Sequence, residues 1–132
     1  MLVYNALRTP DGTVIESRHR HDYVTYDDAN GKSYMVDGGL DYLRRSANGD
    51  EVDLSVSLDQ GILVAREALS WGSNGKNGDE PLRLIKLSKM TNNHIKACLK
   101  TQTNIHLNIK LAMQQELDYR NKLGIVKDEE HV

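Results

Sequence analysis

The densest polar cluster in this 132-residue chain is Ser17-Arg18-His19-Arg20-His21-Asp22-Tyr23. On a strand, the two-residue period places Arg18, Arg20 and Asp22 on one face and His19, His21 and Tyr23 on the other. Two arginines so spaced on a rigid element make a fork for phosphate, because each guanidinium offers paired donors at fixed geometry. The same spacing also suits an exposed strand whose arginines are salt-bridged to nearby aspartates. His19 and His21 have the spacing of two metal ligands from one strand. A third ligand would have to come from His94, His106 or a carboxylate, so no metal site is expected. His21-Asp22 resembles the His-Asp pair of metal phosphohydrolases, but those pairs sit on helices and this one lies in an extended context.

A second group of candidates surrounds Trp71. The loop Gly72–Asp79 holds three glycines whose amides can approach an anion, and it carries Lys76 and Asn77. A tryptophan beside such a loop is a platform for a purine ring, or simply a core residue. The loop lacks P-loop spacing, with no Gly-Lys-Ser/Thr opening a helix, which argues against a nucleoside triphosphatase. Glu116, Tyr119 and Arg120 recur three to four residues apart and can share a helix face, read as a solvated face, a subunit contact or a ligand contact. No Ser-His-Asp, Cys-His or paired-carboxylate spacing is present, so nothing demands an enzyme.

The elements that must position these residues change character halfway along the chain. The first half reads as short strands separated by turns. Met1 to Leu7 is apolar and ends at Pro10-Asp11-Gly12; Thr13 to Tyr26 is extended. Asn30-Gly31 turns the chain into Ser33–Val36, and Asp37-Gly38-Gly39 turns it again into Leu40–Arg44. Ala47-Asn48-Gly49-Asp50 leads to an alternating strand over Glu51–Val56. The second half is mainly helical. Ser57-Leu58-Asp59-Gln60 fits a capping box before Ile62, Ala65 and Leu69, in a helix expected to stop at Trp71-Gly72. Leu82 to Leu87 suits one more strand. Thr91 caps a short helix to about Lys100 with Ile95 and Cys98 or Leu99 inward. Thr103 caps a longer one with a stripe of Ile105, Ile109, Ala112, Met113 and Leu117. The expected fold is α+β, an N-terminal antiparallel meander packed with C-terminal helices. A single domain is expected over residues 1–122, followed by a charged, disordered tail at 123–132.

Composition narrows the classes. Net charge is −2, and 39% of residues are hydrophobic and 27% charged, a globular balance. No bulk basic field points to duplex nucleic acid. Residues 1–60 carry 6 Lys+Arg against 11 Asp+Glu, and residues 61–132 carry 11 against 8, so copies could meet acidic end to basic end. The single cysteine, Cys98, cannot form an internal disulfide, which suits a reducing cytoplasm. No apolar run reaches the roughly 20 residues that span a bilayer, and the N-terminus lacks a signal-peptide pattern. No membrane association is expected. Phe is absent and Trp occurs once, so a small aliphatic core is expected, one that self-association could complete.

Three stretches carry a resemblance. They are Ser17-Arg18-His19-Arg20-His21-Asp22-Tyr23-Val24, Tyr34-Met35-Val36-Asp37-Gly38-Gly39-Leu40-Asp41-Tyr42-Leu43-Arg44-Arg45, and Trp71-Gly72-x-x-Gly75-Lys76-x-Gly78. With the order of sheet then helices, they look like the first-described phage anti-Thoeris sponge proteins, over roughly residues 1–122. The resemblance implies a non-catalytic role in the host cytoplasm: sequestering the cyclic ADP-ribose isomers made by bacterial TIR-domain enzymes. It needs no cofactor. Some members of that family assemble from dimers into hexamers and also hold cyclic oligonucleotides of CBASS immunity, such as cyclic tri-adenylate. On this resemblance Arg18, Arg20, Trp71, Lys76, Asn77 and Arg120 are the ligand-binding candidates. Burying most of such a ligand exceeds what one small chain offers, so the site is expected at a boundary between copies. The alternatives are a small phage inhibitor acting by protein contact, of the anti-CRISPR kind, and a small phosphodiesterase using His19 and His21.

Overall fold

The computed structural model describes residues 1–75 and 77–124; Lys76, and residues 125–132 of the expected tail, lie outside the described residues. The fold is α+β, with antiparallel strands first and helices last. The chain divides into two compact units, Met1–Asp59 and Gln60–Val132.

The N-terminal unit is built from eight short strands. These are β1 (Leu2–Tyr4), β2 (Ala6–Arg8), β3 (Val14–Glu16), β4 (Val24–Asp27), β5 (Ser33–Asp37), β6 (Arg44–Arg45), β7 (Val52–Asp53) and β8 (Val56–Ser57). Strands β4, β5 and β6 form the meander, β2 lies between β3 and β7, and β1 pairs with β8. The Asn30-Gly31 turn joins β4 to β5 with Tyr26 opposite Tyr34, and Gly31 takes the positive φ of 79° that such a turn requires. Leu7, Ile15, Tyr34 and Val36 form the core of this unit, with Val24 and Tyr26 against them. Tyr34 is 1% exposed, and its hydroxyl bonds Asp50 at 3.1 Å. Burial and that carboxylate push its phenol up to about 12.

Two expected strands are broken where a polar group takes the backbone. The run Met1–Leu7 splits at Asn5, and Glu51–Val56 splits into β7 and β8 at Leu54-Ser55. The extended run Thr13–Tyr26 is not continuous either. Residues 17–23 form a loop, so the two-residue alternation does not place Arg18 and Arg20 on one face of a strand. Leu40–Leu43 is likewise a turn rather than a strand, because Asp41 and Tyr42 donate back to the Gly38 carbonyl at 3.0 and 3.4 Å.

The second unit contains α1 (Ile62–Ala68), β9 (Ser70–Ser73), β10 (Arg83–Lys86), α2 (Asn92–Thr101) and α3 (Leu107–Leu123). The expected capping box is instead a 3₁₀ turn over Leu58–Gln60, with Ser57 Oγ accepting from the Asp59 amide at 3.2 Å. Helix α1 stops at Ala68, short of Trp71, because the chain extends to pair β9 with β10. Thr91 caps α2 as expected, its hydroxyl accepting from the His94 amide at 3.1 Å, and Ile95 and Cys98 are buried. The long helix is capped by His106 rather than Thr103; His106 Nδ1 accepts from the Asn108 amide at 3.0 Å. Ala112 and Met113 of the expected apolar stripe are buried, but Asn108, Glu116 and Arg120 are buried with them, while Ile105, Ile109 and Leu117 are only half-buried. The helix ends at Gly124 in the left-handed conformation that closes helices. None of the described helices is long and apolar enough to cross a membrane.

Candidate functional site

Five polar or flexible residues of the N-terminal unit stitch two loops together. Asn5, at the break between β1 and β2, is 1% exposed. Its side-chain amide nitrogen donates to the carbonyls of Asp37 at 3.0 Å and Gly39 at 2.9 Å, while its main-chain carbonyl accepts from the Ser17 amide at 2.9 Å. Ser17 is 2% exposed; its hydroxyl donates to the Asp22 carbonyl at 2.7 Å and accepts from the Gly39 amide at 2.8 Å. The loop at residues 17–23 is thereby held to the loop at residues 37–43.

Within the first loop, Asp22 and Tyr23 donate back to His19 and His21, and the Asp22 carboxylate accepts from the Arg18 amide at 2.8 Å. Gly39 has φ +56°, and a Cβ there would lie 2.6 Å from the His19 oxygen and 2.8 Å from the Arg20 nitrogen. Only glycine permits that approach. Asp37 is 6% exposed and serves as the hub of the second loop. Its carboxylate accepts from the Gly38 amide at 2.8 Å, from Arg44 at 3.3 Å and from the Tyr42 hydroxyl at 3.5 Å.

This framework displays cations. The Arg18 guanidinium lies 3.3 Å from Glu16, and Arg44 is ion-paired to Asp37. Arg20 is exposed and has no ion pair or hydrogen bond among the described residues. His19 and His21 are also exposed on the turn. Among the described residues, no three His, Cys, Asp or Glu side chains gather as metal ligands. The arrangement can therefore present one unneutralised guanidinium, with partly neutralised neighbours, on a backbone that is fixed before a ligand arrives.

The remaining expected ligand residues that are described, Trp71, Asn77 and Arg120, belong to the second unit and are not brought together there. Trp71 is half-buried on β9, opposite Ile85 on β10, so it is part of a strand rather than the rim of a helix end. Asn77 is exposed in the loop that follows β9. That loop is closed on itself: the Glu80 amide donates to the Asn74 carbonyl at 2.9 Å, and the Asn74 side chain donates to the Glu80 carbonyl at 3.2 Å. Two of the three glycine amides expected to face an anion are engaged, Gly75 by Ser73 Oγ and Gly78 by the Gly75 carbonyl, both at 3.2 Å. The Glu80 side chain lies against Gly75, where a Cβ would sit 2.9 Å from Glu80 Cγ. A carboxylate in that position repels phosphate.

Arg120 is neither on a solvated face nor open to a ligand. It is 1% exposed, and each of its three nitrogens has an internal acceptor. Nε donates to Glu116 at 2.6 Å, Nη1 to Asn92 at 2.8 Å and Nη2 to the Leu87 carbonyl at 3.1 Å. Arg66 completes the cluster, bidentate to Glu116 at 2.8 and 2.9 Å and stacked 5.0 Å from the Tyr119 ring centroid. Arg120 is a structural residue of the second unit.

Sequence reasoning missed Asn5, Ser17, Asp37 and Gly39 as a framework. An asparagine inside the apolar run Met1–Leu7 was the available signal, since a strand interior seldom carries one without a buried partner. No family model, no curated protein and no solved structure matches the chain.

Proposed function

We propose that the protein is a non-catalytic binder of phosphate-bearing cyclic nucleotides, holding them at the stitched loops of its N-terminal unit. The observation that carries this reading is Arg20, an exposed guanidinium without an acidic partner among the described residues, carried on a loop whose backbone is held by buried Asn5, Ser17 and Gly39. A loop backbone that is ordered before the ligand arrives spares binding the cost of ordering it. The resemblance to phage anti-Thoeris sponges adds the ligand class: cyclic ADP-ribose isomers, and cyclic tri-adenylate as a further candidate. On this reading the protein acts in the host cytoplasm as an oligomer. Arg18 is a secondary contact, already shared with Glu16.

Calorimetry with cyclic ADP-ribose isomers and cyclic tri-adenylate tests the proposal, followed by heating and chromatography of the released ligand. Binding with intact ligand recovered supports it. Arg20→Ala should weaken binding by about 1.5–3 kcal/mol, the range for one charge-assisted hydrogen bond. A cleaved product would point instead to a phosphodiesterase and to His19 and His21.

A second reading, inhibition by protein contact, is favoured by one feature of the other unit. Leu82 and Leu84 are 64% and 51% exposed and both lie over Gly72 on the β9–β10 ribbon. Binding to none of the nucleotides would make that apolar ribbon the place to seek a protein target.

A further inference from the structure

We infer that Tyr42 is the platform on which the nucleobase of the bound ligand stacks, a specificity role that rests on the nucleotide-binding reading of the same loops. The ring is seated against a glycine. Gly38 has φ +99°, and a Cβ there would lie 2.7 and 2.8 Å from Cδ2 and Cε2 of Tyr42. One edge of the ring therefore rests directly on the glycine backbone. Its hydroxyl lies 3.5 Å from the buried carboxylate of Asp37, at the outer limit of a hydrogen bond. The residue nevertheless remains 41% exposed, so a tyrosine seated on the glycine backbone is open to solvent.

Its position relative to the free cation is set by two adjacent residues. Gly38 supports Tyr42, and Gly39 supports the His19–Arg20 peptide. Consecutive Cα atoms are about 3.8 Å apart, so the ring and the root of the Arg20 side chain flank one dipeptide. An anion with an aromatic end fits this pairing: phosphate to Arg20 and a base face to Tyr42. Arg44, which shares Asp37 with Tyr42 and is itself well exposed, adds a second cation on the ring side. Of the other candidate rings, Trp71 stands opposite Ile85 in a strand pair of the second unit. Tyr23 is 57% exposed and has no comparable glycine seat.

The test is calorimetry with cyclic ADP-ribose and, separately, with ADP, on the full-length wild type and on Tyr42→Leu, Tyr42→Phe and Trp71→Phe. Stacking on one base is worth about 1–3 kcal/mol, so Tyr42→Leu should weaken binding roughly 5- to 150-fold. Tyr42→Phe, which keeps the ring, and Trp71→Phe should each stay within about threefold of wild type, on the same scale. Circular dichroism of each variant checks that it is folded. Undiminished binding by folded Tyr42→Leu overturns the inference and leaves the proposed function standing. So does a loss in Tyr42→Phe equal to that in Tyr42→Leu, because the hydroxyl would then carry the effect. Binding of ADP but not of cyclic ADP-ribose removes the sponge reading while still testing Tyr42 on ADP. Binding of neither, nor of cyclic tri-adenylate in the same titration, overturns both.

Discussion

Arg120 reaches back one helical turn to Glu116, Nε to Oε2 at 2.6 Å, and both side chains are withdrawn from solvent on the buried face of α3. Arg66, brought by α1, bonds the same carboxylate through two nitrogens. One buried anion thus joins α1 and α3, and the two other nitrogens of Arg120 go to Asn92 of α2 and to the Leu87 carbonyl. A buried charge is tolerated only when its neighbours neutralise and hydrogen-bond it, and here they do.

Removing that anion should be severe. Glu116→Leu leaves two guanidiniums facing each other without a counter-charge, and a loss of about 3–5 kcal/mol is expected in urea unfolding. Arg120→Met should cost a comparable amount, whereas Lys122→Ala, on the exposed side of α3, should stay within about 0.5 kcal/mol of wild type.

Gly39→Ala should cost at least about 1–3 kcal/mol, because it forces a side chain into a left-handed backbone and onto the His19–Arg20 peptide. The second effect is the more diagnostic one. Amide exchange at residues 17–23 should accelerate in this variant even under conditions where the rest of the N-terminal unit stays protected. Gly12→Ala provides the comparison: φ is also positive there, at +89°, but no atom lies within 4 Å of the added Cβ.

Acid should loosen the N-terminal unit. Arg45 holds the carboxyl of Asp53 down to about 2, first through its hydrogen bond and then against the opposing effect of burial. Hydrogen bonds from Thr9 and then Tyr26 hold Asp11 well below the usual carboxylate range, and Lys32 lowers Asp50. Each depressed carboxylate contributes stability that is complete above its ordinary value near pH 4. That contribution is lost as pH falls through the folded-state value. Urea midpoints measured between pH 5 and pH 2 should therefore fall with acidity, and Asp53→Asn should flatten the slope. A midpoint that is independent of pH in that window would contradict the assignment.

Cys98 should be inert in the folded protein. It is 4% exposed, and burial pushes its thiol up. Since the thiolate is the reactive form, a disulfide reagent at pH 8 should label it only as fast as the second unit opens, with full labelling in denaturant.

Local chemistry made much of the chain legible. Asn30-Gly31 turns and Thr91 caps because short-range backbone and side-chain geometry suffices for each. The α+β order followed from the change of period halfway along. Other features depended on contacts distant in sequence. Asn5 breaks its strand only because Asp37 and Gly39, more than thirty residues later, supply acceptors for its amide. Residues 17–23 read as a strand by composition, yet Ser17 spends its hydroxyl on Asp22 and Gly39 and the chain turns.

The same division governs the candidate site. From the sequence alone, Arg18 and Arg20 stood out as cations spaced for phosphate, and residue type was enough for that. Whether a cation is free is a tertiary matter, since an acidic partner can arrive from anywhere in the chain. The fold gives Arg18 to Glu16, leaves Arg20 exposed, and withdraws Arg120 into a cluster with Glu116 and Asn92. Helical periodicity records which residues share a face of α3, and Glu116 and Arg120 do. It does not record that Arg66 would come across from α1 to neutralise Glu116, and that contact lets the charged face be buried.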